Sequence, residues 1–383
     1  MSQIALILSG GGARGAYQAG VVQGIYEVLK SASIPMRIDH FSGVSAGAIN
    51  ASYLASLWED KEIALKNLVD LWSQLKSSDI YYTDAISLGK IGLKWVSDLS
   101  LGGATGTSKE GRALLDTEPL KHLLHSRLDM HKIGVNLDKN LFRSLIITAV
   151  DYYDSTAVSF IQTNKEFKPW RKQRRVSEEA KIIVDHVLGS SAIPLLFPPR
   201  PIENRFFGDG CVRNSHPCAP SIYLGAQKLL VIGVKSRANK GYSKDTNSMG
   251  HPPSVARVVN LLMNAVLLDN VEHDIERLIR MNQIVTQVDN SQNLSYKKLD
   301  FVFISPSRDI GALASKHISK VPRIIRYLIK GLGSLEDANE LVSYLLFESP
   351  FCSELIEMGF QDALDAKEKI IALFRDDKNQ IST

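Results

Sequence analysis

The sequence predicts an α/β fold: a largely parallel central sheet flanked by helices, followed by an α-helical C-terminal extension. Three observations predict it. Strand-like runs recur at residues 4–8, 38–42, 141–150, 158–162, 229–234 and 301–305, with helical stretches between many of them. The chain opens on a strand, a glycine-rich turn and a helix, "IALILSGGGARGAYQAG", then presents a second strand and tight turn at "RIDHFSGVSAGAIN". After residue 310 only helical patterns follow, so residues 1–310 are expected to form the α/β domain and 311–383 the helical extension.

Length and composition bound the answer. A chain of 383 residues holds one large domain with an appendage, or two domains. With 44% hydrophobic and 22% charged residues it is composed as a folded globular protein, which excludes disorder on a large scale. A net charge of +4 is too mild to imply nucleic-acid binding. The three cysteines, Cys211, Cys218 and Cys352, have no zinc-like spacing and fit a reducing, cytoplasmic setting. The apolar run 4–8 is too short for a signal-peptide core, and no stretch approaches the roughly 18 apolar residues that span a bilayer. Membrane contact, where it occurs, is therefore expected to be peripheral.

The first strand, Ile4–Leu8, runs into Gly10, Gly11, Gly12 and Gly15. Such a loop exposes backbone N–H groups, which hold either a dinucleotide pyrophosphate or the oxyanion of an acyl transfer. Residues 10–15 do fit G-x-G-x-x-G. In the helix at 16–30, Val22, Ile25, Tyr26 and Leu29 make one apolar face, and Gly20 and Gly24 are expected to permit close approach to the sheet.

The second strand leads into G-x-S-x-G, Gly43 to Gly47, with Ser45 at its centre. That pattern sets a serine on a sharp strand-to-helix turn with its hydroxyl exposed. Ala46, Gly47, Ala48, Ala51 and Ala55 then make a helix of small residues, its N-terminal dipole beneath the serine. A right-handed βαβ crossover leaves both strand ends on one sheet edge. Adjacent strands lie about 4.8 Å apart, which brings the glycine loop beside Ser45. A dinucleotide site would want an acidic residue ending the second strand, whereas Asp39 comes early and Gly43 to Gly47 fill that end.

A serine nucleophile needs a base. Ser45 follows only the second strand, unlike the nucleophile of α/β-hydrolases. Among nine histidines, His216 in "RNSHPCAP" is the least implausible. Among acids, Asp209 stands out in "NRFFGDGCVRNSHP", where a Gly-Asp-Gly turn and apolar neighbours suit a base of raised pKa. Asp151, ending "SLIITAV", is a rival that position alone leaves open.

Of the remaining segments, 87–111 carries six glycines and reads as a connecting loop or a mobile lid, and 236–254 reads as a polar surface loop. "KEFKPWRKQRR", 165–175, is either a solvated loop or a patch meeting an anionic membrane through Lys168, Trp170, Arg171, Lys172, Arg174 and Arg175. The stretch 315–333 has Lys316, Lys320, Arg323, Arg326 and Lys330 on one face and Ile318, Val321, Ile325, Leu328 and Leu332 on another. It reads as a surface helix packed on the core or as an interfacial helix, with Pro322 in its first turn or kinking it.

Three elements in order, "GGGARG" at 10–15, "GVSAG" at 43–47 and "DG" at 209–210, resemble the patatin-like phospholipase family. "GSSAIPLLFPP" at 189–199 and "LLDTEPL" at 114–120 are similar to blocks of the same family, and the likeness spans roughly residues 1–235 with the strand at 301–305. The resemblance implies Ser45 as nucleophile and Asp209 as its partner in a dyad without a catalytic histidine. It implies an oxyanion hole at Gly11, Gly12, Ala13 and Arg14, the Arg14 charge supporting the loop or the anion. Gly10, Gly15, Gly43, Gly47 and Gly210 complete the motifs. The family's third motif commonly continues with glycine or alanine, and here Cys211 places a thiol close to the site.

What the resemblance implies is a lipid acyl hydrolase of phospholipase A type, working through an acyl-enzyme on phospholipid or other acyl-lipid substrates at a peripheral membrane surface. No metal, cofactor or nucleic acid is implied, and a protein activator is not legible. An acyltransferase or a soluble-ester carboxylesterase would use the same dyad. A dinucleotide-binding protein, or a regulatory protein centred on 311–383, is the reading from another class. A housekeeping enzyme and an effector exported without a signal peptide fit this sequence equally.

Overall fold

The computed structural model describes residues 2–83, 113–236, 254–267, 269–287, 297–323, 325–326 and 338–375. The segment 87–111 and nearly all of 236–254 lie outside the described residues. The first half carries β1 (Ile4–Leu8), α1 (Gly15–Ser31), β2 (His40–Val44), α2 (Ala46–Leu57), α3 (Lys61–Ser73), α4 (Glu118–Arg127) and α5 (Met130–Asp138). The sheet continues with β3 (Ser144–Asp151), β4 (Thr156–Thr163), β5 (Arg171–Lys172) and β6 (Arg175–Glu179). Then follow α6 (Val184–Ser190), β7 (Arg200–Ile202), β8 (Arg205–Asp209), α7 (Ala219–Tyr223) and β9 (Lys228–Ile232). The last elements are α8 (Val255–Leu267), α9 (Asp269–Gln287), β10 (Asp300–Ile304), α10 (Ile310–Lys316), α11 (Asn339–Leu345), α12 (Ser349–Asp365) and α13 (Lys367–Phe374).

One sheet runs in the order β10-β9-β1-β2-β3-β4-β6-β5, parallel from β10 through β3, as the alternation of strands and helices predicts. β1 shows why these strands read as unbroken apolar runs: successive side chains point to opposite faces, and both faces are covered. Ile4, Leu6 and Leu8 enter the larger core, while Ala5 and Ile7 meet Val271, Ile275 and Leu278 of α9 on the other side. β4 turns back antiparallel to β3, β6 lies parallel to β4, and β8 pairs antiparallel with the last residues of β3. β5 to β8 are two to five residues long and charged or interrupted, so no apolar run announces them in the sequence.

Two expectations are corrected. Gly20 and Gly24 face α12, not the sheet: a Cβ on Gly20 would lie 2.0 Å from the Ile356 carbonyl oxygen, and one on Gly24 2.7 Å from the Ala363 Cβ. From the other side, a Cβ on Gly359 would lie 2.2 Å from the Tyr17 carbonyl oxygen, and the Tyr17 hydroxyl donates to Asp362 Oδ2 at 2.8 Å. Glycines on both helices thus bring two backbones together, and the C-terminal helices share the core of the sheet domain. Gly20→Val is expected to lower stability by about 3 kcal/mol, because it overpacks backbone against backbone; thermal unfolding beside the wild type checks it.

The second correction concerns 315–333. Helix α10 ends at Lys316, a 3-10 turn spans Ile318–Lys320, and Val321 is extended (φ −57°, ψ 130°), as a residue before proline tends to be. Val321 and Ile325 are buried, so within its described part this stretch is two short pieces packed inward; residues 327–337 lie outside the described residues. No helix among the described residues is long and apolar enough to cross a membrane.

Candidate active site

Strand register brings the serine and the aspartate together. β2 rises alongside β3 as far as Val44, opposite Thr148, while β8 descends alongside the same strand and ends at Asp209, opposite Ala149. The two strands therefore meet end to end beside Thr148 and Ala149. Ser45 leaves β2 there with φ 55° and ψ −127°, a conformation rare for a residue with a side chain, and α2 starts at once at Ala46. The surroundings hold that strain. A Cβ on Gly43 would lie 2.2 Å from the Gly47 carbonyl oxygen, and one on Gly47 2.2 Å from that of Leu8, so neither position admits a side chain.

Ser190 pins the turn. Its hydroxyl accepts the Ser45 N–H at 2.9 Å and donates to the Thr148 carbonyl at 2.6 Å, tying elbow, β3 and α6 together. Sequence reading did not single it out; its only signal is its place at the head of "GSSAIPLLFPP".

Asp209 is buried. Its Oδ1 accepts the Cys211 N–H at 2.9 Å, and its carboxylate also takes hydrogen bonds from the hydroxyl of Ser45 and the thiol of Cys211. Burial pushes its pKa up from 3.8 to about 6, against the pull of those donors. The Cys211 thiol, buried beside this carboxylate, is held well above its usual pKa and stays protonated. Gly210 must be glycine, since a Cβ there would lie 2.1 Å from the Thr148 carbonyl oxygen. The rival carboxylate, Asp151, belongs to the β3–β4 turn: it accepts the Tyr153 N–H at 2.8 Å and faces Arg205 at 3.5 Å.

No described histidine hydrogen-bonds Ser45 or Asp209. His216 is half-buried and bonded to its neighbour, Ser215 Oγ, at 2.7 Å. His40 sits at the far end of β2, between Ser144 and Gln3 at 2.8 Å each, its pKa lowered to about 4 by burial.

The glycine loop ends β1, the strand next to β2. Gly10 touches both neighbours: a Cβ there would lie 2.3 Å from Cys211 Sγ and 2.9 Å from Ser45 Cβ. Gly12 is left-handed (φ 57°), and Gly12–Arg14 form a 3-10 turn in which the Arg14 N–H donates to the Gly11 carbonyl at 3.1 Å. The N–H groups of Gly11, Gly12 and Ala13 have no partner among the described residues, so they are the donors available to an anion. Arg14 enters instead through its guanidinium, which is buried and turned towards α11. Beneath Gly15 a buried chain of polar groups links three helices: Trp72 Nε1 donates to Asn50 Oδ1 at 2.7 Å, and Asn50 Nδ2 donates to Gln18 Oε1 at 2.9 Å.

From Ser45 an apolar pocket with about 570 Å³ of empty space runs along α2 past Ala46, Ile49 and Tyr53, walled by α3 and α4. A strained serine at a strand-to-helix turn, an aspartate on its hydroxyl, unpartnered backbone donors and an apolar pocket define an α/β protein of the serine-hydrolase type. The family described as "Patatin-like phospholipase" matches residues 6–222, more than half of the chain. The chain belongs to that family, whose members are lipid acyl hydrolases. Among solved structures it is similar to VipD from Legionella pneumophila, with 15% identity and a TM-score of 0.32 over 90% of this chain and 66% of that one. The chain thus spans just under two thirds of VipD's length. No curated protein matches it.

Proposed function

We propose that the protein is a lipid acyl hydrolase of phospholipase A type, cleaving ester-linked fatty acids through Ser45 and Asp209. The hydrogen bond from Ser45 to a buried carboxylate of raised pKa, at the mouth of an apolar pocket, carries the reading. Asp209 takes the hydroxyl proton as Oγ attacks the ester carbonyl, and the N–H groups of Gly11 and Gly12 receive the oxyanion. The tetrahedral intermediate expels the alcohol, which leaves with the proton from Asp209. Water then attacks the acyl-enzyme by the same route, regenerating Ser45. The fatty chain lies along α2, where each buried methylene contributes about 0.8 kcal/mol. The test is fatty-acid release from phospholipid vesicles, compared with hydrolysis of a monomeric ester. Cleavage of the monomeric ester alone would make it a soluble-ester carboxylesterase.

The membrane-facing side follows from register. Val150 at the end of β3 lies opposite Ala157 of β4, which lies opposite Arg175 of β6. The basic hairpin 171–175 therefore stands on the sheet edge that carries Ser45, about 14 Å away at three strand spacings. Lys168, Arg171, Lys172 and Arg174 are exposed there. Trp170 is half-buried, its ring 5.1 Å from that of Tyr223 and 6.2 Å from that of Phe167, so it braces the hairpin from within. Arg175 lies near Asp274 and is left unaltered in the test. Exposed Val255, Val258, Leu261 and Leu262 of α8 add an apolar face, and α8 packs on the turn after Asp209. Replacing Lys168, Arg171, Lys172 and Arg174 by glutamate is expected to weaken binding to anionic vesicles about 100-fold or more, at about 1 kcal/mol per cation. Vesicle sedimentation checks it, and monomeric-ester hydrolysis should be unchanged.

A further inference from the structure

Arg14 is the largest charged group sealed inside this protein, and what holds it comes from the other end of the chain. Its Nε and Nη2 donate to Ser343 Oγ at 2.9 and 2.6 Å, Nη2 also pairs with Glu340, and Nη1 donates to the Val234 carbonyl at 3.3 Å. Ser343 Oγ in turn donates to the Glu340 carbonyl at 2.5 Å, so its hydrogen-bonding capacity is filled. The guanidinium carbon lies 4.8 Å from the centre of the Tyr344 ring. Among the described residues Glu340 is the carboxylate that balances this buried charge.

The same helix touches the loop a second time. Gly12 lies so close to α11 that a Cβ on it would come 2.4 Å from the Tyr344 carbonyl oxygen. The loop that carries the unpartnered N–H groups is therefore fixed from both sides by α11: backbone against Gly12, and Glu340 with Ser343 on Arg14. Both residues lie well beyond residue 222, where the family match ends.

We propose that Glu340 and Ser343 are positioning residues for the oxyanion loop, so that α11, a C-terminal element, is part of the catalytic apparatus. This rests on the hydrolase reading given above. Preorganised donors act most strongly once charge has developed on the ester oxygen, so a loosened loop loses transition-state binding and little ground-state binding. The effect falls on kcat and leaves KM nearly unaltered.

The test uses the full chain with Glu340→Gln, Ser343→Ala and, as a control, Glu354→Gln. The control removes a C-terminal carboxylate that pairs with His317 at 2.9 Å and Arg308 at 3.5 Å, with no described bond to Arg14. Rates on a monomeric ester and covalent labelling of Ser45 by a fluorophosphonate are measured well below each variant's melting temperature. Each α11 variant is expected to lose about tenfold or more in kcat and in labelling rate, with KM within about twofold and the control matching wild type. Ser343→Ala leaves the buried charge pair in place, which keeps the test open where Glu340→Gln does not fold. An active wild type whose α11 variants match it, or whose losses vanish on cooling, overturns this inference alone. A wild type that cleaves no ester and is not labelled at Ser45 overturns the hydrolase reading and this inference with it.

Discussion

Ser45→Ala is expected to end ester hydrolysis, lowering kcat by about 10⁴-fold or more, as loss of a nucleophile that works with its base does. The fold should survive the change. Alanine keeps the Cβ that the elbow accommodates, and the clamp on the elbow is backbone: the Ser45 N–H on Ser190 Oγ at 2.9 Å and the Ser45 carbonyl taking the Ala48 N–H at 2.8 Å. What is lost is one hydroxyl donor to Asp209, in a carboxylate that retains the Cys211 N–H. Melting temperature should therefore stay close to wild type while fatty-acid release and fluorophosphonate labelling vanish together. Turnover above about 1% of wild type would assign the chemistry to another group.

The elbow was legible because its chemistry is local. Small residues at Gly43 and Gly47 are demanded by backbone atoms a few residues away or on the adjoining strand, and a five-residue pattern records that demand. Asp209 was legible in part. Sequence alone left Asp151 standing beside it, and only the register that ends β2 and β8 at the same point of β3 separates them. The opening glycines illustrate the limit. That residues 10–12 hold a tight loop follows from the sequence, but that Gly12 is pressed against Tyr344 and that Arg14 bonds a serine 329 positions away does not. Periodicity reports which face of a helix is buried and is silent about what buries it. That is why Gly20 and Gly24 were assigned to the sheet when α12 covers them. Ser190, Glu340 and Ser343 are ordinary polar residues in ordinary contexts, and their roles arise from contacts between distant segments.

Asp209→Asn is expected to separate activity from stability. The asparagine keeps an oxygen to accept the Cys211 N–H but does not take the Ser45 proton, so kcat should fall about 10³-fold, within the range for loss of a general base. In the wild type, protonation of the same carboxylate does this reversibly. With the pKa of Asp209 near 6, kcat/KM should fall tenfold per pH unit below about pH 6 and level off above it. The stability argument runs the other way. A carboxyl group whose pKa rises from 3.8 to about 6 on folding binds its proton more tightly in the folded state. Its contribution is fully present below pH 3.8 and lost as pH rises through 6; at pH 7 the buried charge costs the fold about 3 kcal/mol. Asparagine carries no such charge. The inactive variant should therefore melt above wild type at pH 7 to 8, with the difference shrinking towards zero near pH 4. Melting curves across that range, read beside the pH profile of the wild type, make one carboxylate answerable for both. An advantage of the variant that did not change with pH would show that Asp209 is not charged in the resting enzyme.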